Sequence, residues 1–264
     1  MTTKAILCSL ASLLLAASVQ AAFDILPMAA GNRWEYERVK LVRATITFDG
    51  RAVAGVDDTS SGGCVYEIKS QDSSKTPVEY MYNETVKMRP TNGGPAEDET
   101  TDLRMTSDDT GLRILATTHD ETGGKGPEKE TYDPPLVYYL RDAVAGKAWE
   151  VGTLRDGDAK SFTKARGAAR ETVTVPAGTF KDCLKVVYSS DDISGSIDIW
   201  DKSFTVTGGK SRGIYWIADG VGVVKELEVA TTVAEAPGPQ GKPLKVEAAT
   251  CTVSELKPGY KVGK

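Results

Sequence analysis

Trp34-Glu35-Tyr36-Glu37-Arg38-Val39-Lys40-Leu41-Val42-Arg43-Ala44-Thr45-Ile46-Thr47-Phe48-Asp49 carries the pattern from which the fold is read. Trp34, Tyr36, Val42, Ala44, Ile46 and Phe48 fall on one parity, with Glu35, Glu37, Arg43, Thr45, Thr47 and Asp49 between them. Successive side chains of an extended strand point to opposite faces, so this period of two marks a strand with one buried side. The pattern returns at Cys64, Tyr66 and Ile68, at Val78, Tyr80 and Tyr82, at Val86 and Met88, and at Leu112, Ile114 and Ala116. Further strands are expected over 172–175, 183–188, 193–200, 204–207, 214–218, 221–229 and 245–256. Clusters at Asp57 to Gly63, Pro90 to Pro95 and Gly123 to Pro127 supply turn chemistry. Pro134-Pro135 would set the start of one short helix over Leu136 to Ala145. Many short strands with turns between them predict a mainly β, antiparallel fold: a curved sheet, half-barrel or barrel-like, with little helix.

Composition agrees with a folded globular chain. The 264 residues are 40% hydrophobic and 26% charged, with a formal net charge of −5. That acidic balance argues against nucleic acid as a partner. Residues 1–21 read as a signal peptide: Lys4, an apolar run from Ala5 to Val19, then small residues before Ala22. A lipidated Cys8 fits less well, because the apolar run continues past it. The expected mature unit is a single β-rich domain, 22–264, periplasmic or secreted, with no transmembrane segment after cleavage. Gly31-Asn32-Arg33-Trp34-Glu35 and Gly146-Lys147-Ala148-Trp149-Glu150 echo each other. The echo suggests two related halves, about 22–133 and 134–264.

Cys64, Cys183 and Cys251 remain after cleavage, an odd number that permits at most one intramolecular disulfide among three pairings. The equal alternative is three small buried hydrophobes. Eleven acidic residues stand against four basic ones between Glu97 and Asp133. They read as solvated loops and strand edges, the alternative being a site for calcium or a cationic partner. Val175-Pro176-Ala177-Gly178-Thr179-Phe180 predicts a tight hairpin with a bulge. Asp219-Gly220 predicts a second turn, and Pro237-Gly238-Pro239-Gln240-Gly241 a loop before the last strand.

Three features in order carry a resemblance: Leu26-Pro27 followed by Gly31-Asn32, Trp34 and Tyr36; the hairpin at 175–180 with Cys183; and Tyr215-Trp216 running into Gly220-Val221-Gly222-Val223-Val224-Lys225. Together they resemble uncharacterised exported bacterial β-domain proteins, whose fold is similar to the half-barrels of periplasmic lipoprotein carriers. The resemblance implies export and a β-architecture, and brings no catalytic residues.

Enzyme chemistry finds little footing in the sequence. His119, the one imidazole, lies in a polar turn with no nucleophile motif to serve. The pairs Asp57-Asp58, Asp108-Asp109 and Asp191-Asp192 are adjacent, so on a strand they face opposite sides. No carboxyl is identifiable as held in an apolar pocket, as glycosidase chemistry requires. Catalytic, cofactor and metal residues are therefore all expected to be none, and the ligand-binding residues are unknown at this level. Trp34, Trp149, Trp200 and Trp216 read as core, or else as the lining of a concave face that holds an apolar ligand. The expected function is an exported non-enzymatic β-domain binding an apolar small molecule or cell-envelope component. The alternative is a protein-interaction module without a small-molecule site, and a hydrolase stands third.

Overall fold

In a computed structural model the described residues are 26–94, 96–121, 126–156, 158–199 and 202–263. The signal-peptide reading of 1–21 and Trp200 lie outside them. Twelve strands run in chain order: β1 (Arg33–Phe48), β2 (Arg51–Asp72), β3 (Val78–Pro90), β4 (Glu97–Ser107), β5 (Gly111–Glu121), β6 (Glu128–Leu140), β7 (Ala148–Asp156), β8 (Ala159–Val175), β9 (Gly178–Ile199), β10 (Lys202–Ala218), β11 (Gly222–Pro237) and β12 (Pro243–Leu256). They form one antiparallel sheet in the order β6-β5-β4-β3-β2-β1-β12-β11-β10-β9-β8-β7. Among the described residues the only other element is a short turn of 3-10 helix, Pro239–Gly241, between the last two strands.

The sheet curls until its two edges meet and is nearly closed into a barrel. No backbone ladder joins β6 to β7; side chains cover the seam instead. Trp149 Nε1 donates to the Val137 carbonyl at 3.1 Å, and the Trp149 and Tyr139 rings meet edge to face at 5.8 Å. The first and last strands close the middle of the sheet by pairing from Tyr36↔Leu256 to Phe48↔Leu244.

Hairpins follow local turn chemistry. Asp49 and Gly50, with φ of 50° and 74°, form the two-residue loop between β1 and β2, where two positive φ values match the strand twist. Val175 pairs with Gly178, so Pro176-Ala177 is a two-residue loop, with a register shift further along β8 between Glu171 and Val173. Ala218↔Gly222 brackets a three-residue loop, Asp219-Gly220-Val221, with Gly220 at a φ of 67°.

Two expectations are corrected. Leu136 to Leu140 is strand, the end of β6, and the residues after it form turns. Pro134 and Pro135 sit where the β5–β6 register shifts between Ile114 and Ala116, so their missing N–H groups leave no ladder position empty. Asp57 to Gly63 is not a turn but the interior of β2, paired to β1 and partly to β3. Gly62 is there because a Cβ would stand 1.9 Å from the Lys87 carbonyl oxygen.

On β1 the even positions face the lumen. At one end large side chains fill it: Trp34, Tyr36, Ile68, Met88, Met105 and Leu136 are buried. Asn32 secures that end, donating to the Pro27 carbonyl at 2.8 Å and accepting from the Gly263 amide at 2.7 Å. The opposite end holds a smaller cluster, including Ile46, Phe204, Val206 and Val246. Between these two plugs the lumen is not filled.

Candidate functional site

The unfilled middle is lined by charge where the alternation predicts apolar residues. Arg38 follows Trp34 and Tyr36 on the inner face of β1, Glu84 follows Tyr80 and Tyr82 on β3, and Glu226 follows Val224 on β11. Arg38 is the hub, and its side chain is only 12% exposed. Its Nε donates to Ser254 Oγ at 2.9 Å, and its terminal nitrogens donate to Glu84 at 3.1 Å, Tyr66 Oη at 2.9 Å and Glu226 at 3.4 Å. The Tyr66 hydroxyl in turn donates to Glu226 at 3.0 Å.

Burial and the neighbouring carboxylates set the protonation of this network. Burial pushes the Glu226 carboxyl up to about 7; Arg38 opposes the rise, and Glu228 and Glu84 add to it. Burial, then Glu84, raises the Cys64 thiol well above its ordinary range, so it stays a thiol 3.4 Å from Glu84. Burial likewise keeps the hydroxyls of Tyr36, Tyr82, Tyr188 and Tyr215 protonated.

A cavity of about 250 Å³ lies against the network, bounded also by Tyr82, Tyr138, Tyr188 and Tyr215. A second space of about 310 Å³ continues beyond them and shares Tyr138, Tyr188, Tyr215 and Glu228 as lining. Each is near the lower size limit for a small-molecule site. Tyr188 anchors the wall: its hydroxyl donates to the Tyr138 carbonyl at 2.7 Å, and its ring stacks on Tyr138 at 5.8 Å and meets Tyr215 edge-on at 5.1 Å. Tyr36 and Trp34 donate to the Val223 and Val221 carbonyls at 2.7 and 2.6 Å, fixing β1 against β11 across the lumen.

The residues singled out from sequence are scattered. Trp34 lines the cavity and Trp149 is core. Trp216 lies on the opposite face from Tyr215; its Nε1 donates to Glu171 at 2.8 Å, and the Lys185 and Lys225 ammonium groups sit 5.2 and 6.0 Å from its ring. His119 lies not in a turn but in β5, paired with Thr101 on β4 and Glu128 on β6; its Nδ1 is 2.9 Å from Thr101 Oγ1, and it is not part of the cavity lining. Cys64, Cys183 and Cys251 are all free thiols. The acidic stretch lies largely in strands β4 to β6 rather than in loops, with Glu97 bound to Lys40, Asp98 to Arg89 and Asp108 to Arg113. Among the described residues no three His, Cys, Asp or Glu side chains converge to hold a metal. The sequence does contain a signal for Arg38, Glu84 and Glu226: each is a charge on the buried parity of an alternating strand.

No protein-family model and no curated protein matches the chain. Among solved structures, it is similar to one described as a "putative lipoprotein" from Parabacteroides distasonis ATCC 8503, at 15% identity and a TM-score of 0.40, over 90% of this chain and 100% of that one. It is also similar to a "putative exported protein with YmcC-like fold" from Bacteroides fragilis NCTC 9343, at 14% identity and a TM-score of 0.33, over 90% and 98%.

Proposed function

We propose that this protein is an exported, non-enzymatic β-barrel that holds a small molecule with a largely apolar body in its lumen. The observation that carries this reading is a preformed cavity walled by tyrosines between two plugged ends. The signal-like sequence at 1–21 supports export to the periplasm or beyond, and no helix of the described residues is long and apolar enough to cross a membrane. The non-enzymatic part rests on the state of the polar groups: Cys64 is held as an unreactive thiol, and Glu226 is occupied by Tyr66 and Arg38. The same reading takes 22–264 as one unit of two related halves. Gly31 and Gly146 both have positive φ, at 90° and 89°, and each precedes a tryptophan at the start of its strand.

A second reading, an interaction module, is favoured by exposed Val39, Leu41 and Val229 on the outer wall, where Leu41 pairs with Cys251 and Cys251 with Val229. Native mass spectrometry of the mature protein, purified from the exported fraction without detergent, separates the two. The luminal reading expects an added mass of metabolite or lipid size that is lost on denaturation. A bare mass across independent preparations overturns it in favour of the module.

A further inference from the structure

Resting on the luminal reading, we infer that the ligand carries an ammonium group, seated beside Glu228 and against the rings of Tyr138, Tyr188 and Tyr215, with its apolar remainder in the cavity. The first observation is the charge balance of the lining: one guanidinium, Arg38, faces three carboxylates, Glu84, Glu226 and Glu228, and the adjoining space adds one further cation, the exposed Arg212. Arg38 is committed, since Ser254, Glu84, Tyr66 and Glu226 take its donors. An anionic ligand would have to displace a buried carboxylate to reach it.

Glu228 is in the opposite position. It accepts a short hydrogen bond from the Tyr215 hydroxyl and has no ion-pair partner among the described residues. Its cross-strand neighbours are Gly213 on β10 and Thr252 on β12, and neither brings a positive charge. Gly213 is also what lets the Tyr215 ring fold back beside Glu228, because a Cβ there would lie 2.7 Å from Tyr215 Cε2. Glu228 is exposed, so it stands at the open rim of the aromatic-lined space, where a carboxylate without a counter-ion favours a cation.

The aromatic wall and its hydroxyls point the same way. Tyr138 and Tyr188 stack with an interplanar angle of 21°, and Tyr215 meets Tyr188 at 78°, so ring faces and edges of three tyrosines surround the space beside Glu228. Tyrosine faces attract alkylammonium groups through the ring quadrupole. Tyr139, only 1% exposed, lines the same cavity with a hydroxyl that has no hydrogen-bond partner. A hydroxyl oxygen left unpaired in the interior can accept from an N–H donor of a ligand.

The test is isothermal titration of the mature protein at pH 7 with three probes of equal chain length: octylammonium, octyl sulfate and octanol. The expected result is binding of the ammonium probe at least about tenfold tighter than either other probe. Glu228→Gln should remove that advantage while leaving octanol binding in place, which also shows that the variant is folded. Glu228→Lys should reverse the preference toward the sulfate. Equal binding of all three probes, or preference for the sulfate by the unmodified protein, overturns the ammonium assignment while leaving luminal binding standing. Failure of all three probes also overturns it; an added mass in the native spectrum of the same preparation would then show that the luminal reading survives alone.

Discussion

Arg38 and Arg43 lie five residues apart on β1 and both pair with carboxylates, but they do so on opposite walls of the barrel. Arg43 faces outward and meets Asp57 at 2.9 Å, with both side chains more than 70% exposed. Arg38 faces inward, 12% exposed, and binds two carboxylates, a tyrosine and a serine drawn from four other strands. On the outer wall water competes for every contact, so the pair contributes little. On the inner wall the contacts replace water, and each group left without its partner would carry most of its desolvation cost.

The largest effect should come from breaking the inner wall. Arg38→Met keeps the bulk but leaves Glu84 and Glu226 without their cation, and should lower stability by about 3–5 kcal/mol at pH 8. Urea denaturation followed by tryptophan fluorescence measures this. A loss no larger than that of an exposed pair would mean that the lumen is as wet as the surface.

Glu226→Gln sharpens the same comparison through pH. Glu226 binds its proton more tightly in the fold, up to about 7 from an ordinary 4.5, so its stabilising contribution is present below about 4.5 and is lost as pH rises through about 7. Gln cannot titrate. The variant should therefore gain on the parent protein between pH 5 and pH 8, as read from urea midpoints at each pH. A gap between the two that does not change with pH would show that Glu226 titrates normally.

Arg43→Ala should have the smallest effect, within about 0.5 kcal/mol, measured in the same denaturation series. A cost approaching that of Arg38→Met would erase the distinction between the walls.

The strands were legible in the sequence because one-sided burial imposes a period of two on β1, β3 and β11, and because Asp219-Gly220 and Pro176-Ala177 mark their turns locally. Leu136 to Ala145 misleads because a proline pair opens helices more often than it occupies a bulge. Asp57 to Gly63 reads as a turn for the same local reason, although Gly62 answers a contact with Lys87 on another strand. The site was harder to see. Arg38 and Glu84 are 46 residues apart, and Arg38 and Glu226 are 188, so only the sheet order brings them together. What each strand could show alone was a single charge on its buried parity, and Arg38, Glu84 and Glu226 all have it.

The pairing of β1 with β12 has a consequence for synthesis. Tyr36 and Leu256, opposite each other in the sheet, are 220 residues apart in the chain. As the polypeptide emerges, β1 can pair with β2 at once, but its other edge stays unsatisfied until the last strand has been made. Closing so long a loop is slow, and cooperative completion of the barrel must wait for it. Until β12 is made, such a chain carries an open sheet edge along the whole of β1, a ready template for pairing with another chain.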